Sequence, residues 1–97
     1  MTGNLAILKK NISHFGYSDI YKFAADQATV LTLGKIEEYK NTILFFQKKY
    51  SMDYKKFKKH LDKSDTEEFE KEDELMEWRF AIECIEMYEK ELKSIGD

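Results

Sequence analysis

An apolar seam with helical spacing runs through the middle of the chain and restricts its fold more than any other feature. Alternating steps of three and four residues separate Ile36, Tyr39, Ile43, Phe46 and Tyr50. Steps of this size place side chains on one face of an α-helix that packs along another helix. The chain has no proline and only four glycines, so it offers little turn chemistry for a fold of many strands. The sequence therefore predicts an all-α protein.

The N-terminal half is expected to form two helices. The segment NLAILKKNISHFG has apolar residues at helical spacing, and Gly16 is expected to stop the helix. Ser18 or Asp19 is placed to cap the second helix. β-branched residues and Gly34 leave a bend or break open within residues 28–34, although a continuous helix is favoured because a lone strand would have no partner.

The C-terminal half is expected to form a short helix and a long one. DYKKFKKHL is the short helix, and the polar segment DKSDTE follows it. Ser64 and Glu67 have the spacing of a capping box. The final helix is predicted to begin at about Glu67 or Glu70 and to run to Ser94.

These elements predict one domain, residues 1–97. Its centre is an antiparallel long helical hairpin that pairs about residues 35–50 with 67–94. The short connecting helix lies at the corner of the hairpin, and the N-terminal helix packs across its open end.

Charge is distributed unevenly along the chain. Residues 1–63 hold twelve lysines against six acids, a balance of +6, whereas residues 64–97 hold four basic residues against thirteen acids, a balance of −9. This asymmetry indicates that the two parts attract each other or face different partners. Seven of the acids crowd into one block: Glu67, Glu68, Glu70, Glu72, Asp73, Glu74 and Glu77.

The final helix has two apolar faces. One is expected to form the core against the second helix, and it contains Trp78, Ile82, Ile85, Leu92 and Ile95. The other lies roughly opposite and contains Met76, Phe80, Cys84 and Met87. A two-helix hairpin buries one such face, so the second is expected to meet the first helix, a second copy of the chain or another protein.

The acidic block and the second apolar face are neighbours, and together they predict a protein-binding surface. Negative charge steers association with a basic partner, while apolar contacts supply most of the binding energy. The residues predicted to bind the partner are Glu70, Asp73, Glu74, Met76, Glu77, Phe80, Cys84 and Met87. A homodimeric scaffold or adaptor remains an alternative, because the same face could pair with itself.

Little in the sequence indicates catalysis, a cofactor or a metal. His14 and His60 have no Cys or His neighbour at ligand spacing, and no glycine-rich phosphate loop is present. We therefore expect no enzymatic activity. The single cysteine, Cys84, and the lack of a signal peptide or membrane span favour the cytoplasm.

A lysine-rich segment supports a third, weaker hypothesis, that of a nucleic-acid-binding protein. Its lysines are interleaved with aromatic residues and could contact phosphate. Lysine without arginine is a weak signature for base recognition, and the acidic block could neutralise the patch. The lysines are Lys48, Lys49, Lys55, Lys56, Lys58, Lys59 and Lys63.

The segments KIEEYKNTILFFQKKYSMDYKKF and FEKEDELMEWRFAIECIEMYEKEL resemble small antitoxins of prokaryotic toxin–antitoxin pairs. The resemblance covers roughly residues 35–93 and is carried by Lys49, Tyr50, Met52, Phe57, Glu72, Asp73, Glu77 and Trp78. Ser51 stands where these proteins have glycine, and Arg79 stands where they commonly have an acid or a small residue. The resemblance implies a non-catalytic protein that binds and masks a basic toxin, often one that targets RNA.

Overall fold

The structure is a computed structural model that describes residues 2–64 and 68–96. It contains four helices, α1 (Thr2–Ser13), α2 (Ile20–Tyr50), α3 (Tyr54–Asp62) and α4 (Phe69–Gly96). Neither described range contains a strand, which confirms the all-α class. α2 and α4 form the predicted long hairpin, α3 packs on α4, and α1 contacts α2.

The connection between α1 and α2 is built around Gly16 and Tyr17. Gly16 has a φ of 89°, in the left-handed region that glycine adopts without a steric penalty. Tyr17 packs edge-on against Phe23, with ring centroids 5.3 Å apart, and its hydroxyl donates a 2.7 Å hydrogen bond to Asp26. Ile12 is the buried side chain of α1. The turn thus fixes α1 against the first part of α2.

α2 is a continuous helix of 31 residues. The Asp19 carboxylate caps it by accepting a 2.9 Å hydrogen bond from the backbone N–H of Tyr21. Gly34 lies within the helix, and no break occurs there. A glycine in a helix interior costs about 1 kcal/mol, and burial of Thr32 and Ile36 on either side offsets that cost.

α3 begins after a sharp change of direction. Ser51 ends α2 with φ 53° and ψ 37°. This is the left-handed conformation that glycine most often adopts at the end of a helix. Asp53 then caps α3 by accepting a 2.8 Å hydrogen bond from the backbone N–H of Lys56. The predicted capping box of Ser64 and Glu67 and a helix start at Glu67 involve a residue outside the described ranges.

The core lies at the closed end of the hairpin, where α2, α3 and α4 meet. Phe46, Phe57 and Trp78 are almost fully buried, and Trp78 lies 5.6 Å from each of the two phenylalanine rings, centroid to centroid. Half-buried residues surround this cluster: Ile43, Tyr50, Met52, Tyr54, Leu61, Leu75 and Ile82. Ile43, Phe46 and Tyr50 belong to the seam that the sequence predicts, and Trp78 and Ile82 belong to the predicted core face of the final helix.

The molecule is elongated, with principal extents of 65 × 25 × 20 Å. Its Cα radius of gyration is 20.5 Å, whereas a compact domain of this length has about 13 Å. Two long helices paired side by side each keep a broad outer face in solvent. The fold therefore supplies surface for association over most of its length.

Candidate protein-binding surface

An apolar stripe is exposed on the outer face of α4. Met76 is 60% exposed, Phe80 56% and Met87 45%. α1 is in place against α2, and these three side chains remain in solvent. The spacing of four and seven residues keeps them on one side of the helix. We call Met76, Phe80 and Met87 the α4 stripe.

Phe69 extends this stripe by two turns towards the start of α4. It is 69% exposed and lies seven residues before Met76, on the same side of the helix. Phe69 is not among the residues that the sequence predicts to bind the partner. Its heptad spacing from Met76 is the signal that could have identified it.

Cys84 lies inside the hairpin and not on the stripe. Its residue is 8% exposed, and it contacts Tyr39 of α2. A hydrogen bond with Cys84, together with burial, raises the pKa of the Tyr39 hydroxyl. Tyr39 also packs edge-on against Phe80 at 5.9 Å and stacks on Tyr88 at 6.3 Å. Tyr39 of α2 therefore packs against Phe80, a member of the α4 stripe.

Three of the predicted binding acids are exposed beside the stripe. Glu70, Asp73 and Glu77 all lie in the first half of α4 with solvent-exposed side chains. With Met76 and Phe80 they form one surface on which negative charges flank apolar side chains. Such a surface suits a partner that combines an apolar groove with a basic rim.

Glu74 has a structural role instead. Its side chain is 15% exposed and accepts hydrogen bonds from the Lys49 ammonium and the Tyr50 hydroxyl of α2. Burial by itself would raise the pKa of Glu74, but the hydrogen bonds from Lys49 and Tyr50 outweigh it, so the pKa lies below its ordinary value. Glu74 thus links α4 to the end of α2.

The α3 lysines face solvent. Lys55, Lys56, Lys58 and Lys59 are all exposed, and so is Lys63, which follows the helix. Within residues 2–64 and 68–96, no ion pair joins these lysines to the acids of α4, and the ion pair between the two long helices is Lys49–Glu74. The exposed lysines of α3 are therefore not neutralised by ion pairs with the described acids of α4.

An open groove of about 760 Å³ runs between α2, α3 and α4. Ile43, Trp78 and Ile82 give it an apolar floor, and Lys55 and Arg79 belong to its charged rim. The Trp78 indole N–H is buried without a hydrogen-bond acceptor in the described part of the chain. Among those same residues, no group of three or more His, Cys, Asp or Glu side chains could hold a metal ion.

No family model matches the chain, and no curated protein or solved structure matches it significantly. None of the described helices combines the length and the apolar character needed to cross a membrane. The surface itself is therefore the basis for a functional assignment.

Proposed function

We propose that this protein is a non-catalytic protein-binding module that docks a basic partner on the outer face of α4. The observation that carries the proposal is the α4 stripe, three large apolar side chains that are 45–60% exposed next to Glu70, Asp73 and Glu77. Exposed apolar patches on a folded domain mark interaction sites. Methionine is common at such sites because its side chain adapts its shape.

Charge directs this surface towards a basic partner. The segment 64–97 has thirteen acids and four basic residues. Negative charge around an apolar anchor speeds encounter with a positive surface and disfavours acidic competitors. Glu74 and Cys84 are not part of the proposed contact, since both are held inside the hairpin.

We further propose that the partner is an RNA-targeting toxin and that the protein is its antitoxin in the cytoplasm. The support is the resemblance over residues 35–93. In this mechanism Phe80 and the two methionines enter an apolar groove of the toxin, and the acids cover the basic residues with which it holds RNA. Occlusion of this kind needs no catalytic group. A free, buried thiol at Cys84 is compatible with a reducing compartment.

Co-expression with the product of the adjacent gene tests the proposal. The expected results are a co-purified complex and relief of the growth arrest that the neighbouring product causes alone. Phe80→Ser is expected to weaken the complex about 30-fold or more, the effect of a hot-spot residue of about 2 kcal/mol. Absence of both complex and growth rescue would overturn the antitoxin proposal.

Phe45→Ser is the matched control. Phe45 is 59% exposed, close to the 56% of Phe80, and it also makes one edge-to-face ring contact, with Phe46 at 5.3 Å. It lies on α2 and not on α4, the helix that carries the α4 stripe and the acids beside it. Equal weakening by both substitutions would show that the α4 stripe has no special part in binding.

A further inference from the structure

A second apolar seam runs along α2 on a face that α4 does not cover. Val30 is 61% exposed, and Leu33 and Leu44 are each 50% exposed. Glu37, Lys40 and Gln47 are exposed as well. Together the six residues are separated by alternating steps of three and four residues. At about 100° per residue, this seam lies roughly a third of a turn from the buried seam through Ile36 and Phe46. We call it the outer α2 seam.

The elongated chain has enough surface for a contact of substantial size. Its accessible surface is 7783 Å². A compact monomer of its 11.6 kDa mass has about 5,800 Å². The excess, about 2,000 Å², exceeds the roughly 800 Å² that each partner buries in a standard interface.

The outer α2 seam is complementary to itself when two copies run antiparallel. In the register centred between Glu38 and Tyr39, Leu33 of one copy meets Leu44 of the other. The same register places Glu37 opposite Lys40, and Val30 opposite the stem of Gln47. A two-fold axis repeats every contact, so the interface has two leucine pairs and two pairs of opposite charge.

Self-pairing through α4 does not have this complementarity. The α4 stripe is flanked by acids, and Asp73, Glu77 and Glu83 are exposed around it. Two copies joined through that face would bring like charges together, which opposes association. The outer α2 seam has balanced charges at its centre. Glu37 and Lys40 form no ion pair with other described residues of their own chain.

We propose that the protein is a homodimer whose two α2 helices pack antiparallel along the seam of Val30, Leu33, Glu37, Lys40 and Leu44. The arrangement buries Val30, Leu33 and Leu44 and leaves both α4 stripes in solvent. Each dimer therefore presents two partner-binding surfaces. The dimer does not depend on the identity of the partner. Failure of the antitoxin proposal would therefore leave the dimer proposal intact, and failure of the dimer proposal would leave the antitoxin proposal intact.

Sedimentation equilibrium of the full chain over a wide concentration range gives the first test. The expected mass is that of a dimer. Glu37→Lys and Lys40→Glu, each alone, place like charges in contact twice per dimer and are expected to weaken dimerisation about tenfold or more. The double variant Glu37→Lys/Lys40→Glu exchanges the two charges and is expected to restore the dimer.

This charge exchange separates the interface from simple loss of folding, because both positions are exposed and the double variant carries both changes. A monomer at all concentrations overturns the proposal. A dimer that survives either single reversal, or that is lost in Phe80→Ser, also overturns it and assigns self-association to another face.

The register is tested by crosslinking in a Cys84→Ala background. A mixture of Leu33→Cys and Leu44→Cys chains is expected to form disulfide-linked heterodimers under mild oxidation, because the two positions face each other. Each variant alone is expected to crosslink poorly. Efficient crosslinking of Leu33→Cys with itself indicates parallel helices and refutes the antiparallel arrangement.

Discussion

Phe57→Ala is expected to remove about 4 kcal/mol of stability. Phe57 is 1% exposed and is the side chain that anchors α3 to the hairpin. Its ring stacks on Tyr50 at 4.1 Å and lies 5.6 Å from Trp78. Transfer of a buried Phe side chain accounts for up to about 3 kcal/mol, and two aromatic contacts add about 0.5–1.5 kcal/mol each. Measured Phe→Ala costs in cores, about 3–5 kcal/mol, cover this range.

That loss is a large share of the total, because a domain of this length has about 5–15 kcal/mol of stability. Urea titration monitored by the fluorescence of Trp78, the single tryptophan, provides the assay. With a denaturant slope of about 2 kcal/mol per M, the midpoint is expected to fall by about 2 M. Protein concentration must be held constant, because the proposed dimer would contribute to apparent stability.

Phe15→Ala is the control for this prediction, since it makes the same truncation at a side chain that is 69% exposed. It is expected to change stability by no more than about 0.5 kcal/mol. A loss below about 1.5 kcal/mol for Phe57→Ala would refute the reasoning that the aromatic cluster dominates the core. Equal losses in the two variants would refute it as well.

Three further variants test local features. Ser51→Gly is expected to add about 0.5–1 kcal/mol, because glycine adopts the left-handed φ of 53° without a Cβ clash; an unchanged urea midpoint contradicts this. Asp53→Ala is expected to cost about 1 kcal/mol by removing the cap of α3, and a loss in thermal melting temperature measures it. Glu74→Gln is expected to cost about 1–2 kcal/mol at neutral pH. Because the folded pKa of Glu74 is lowered, the wild type loses this contribution as the pH falls below about 4.3 and through that lowered pKa. The two proteins should therefore converge in acid, and a constant difference down to low pH counts against the assigned network.

The four helices could be predicted from the sequence, because the spacing of apolar residues and the capping residues are local properties of the chain. Asp19 and Asp53 cap the helices as their positions indicate, and Gly16 ends the first one. The continuity of α2 through Gly34 depends on tertiary packing, which offsets the local cost of glycine and cannot be judged from propensity. Ser51 likewise adopts a left-handed conformation that its own propensity disfavours.

The candidate surface could be predicted from the sequence only in part, because composition does not show towards which face of the helix each side chain points. Glu74 was grouped with the other acids by its place in the chain, yet it lies four residues before Trp78 and seven before Ala81, on the buried face. That spacing is the signal that separates it from Asp73 and Glu77. Cys84 lies at the boundary of two faces, and it is buried in the hairpin, where it forms a hydrogen bond with Tyr39 of α2.

The position of the core at one end of the hairpin has a consequence for how the molecule opens. Beyond Cys84, α4 has no fully buried residue in its described part, whereas Phe46, Phe57 and Trp78 are concentrated at the other end. Backbone amides near this cluster are expected to exchange with deuterium only on global unfolding, and those of the last turns of α4 by local opening. A ligand that holds Met87 would slow exchange in those last turns, so the protection pattern would report where along the helix a partner is bound.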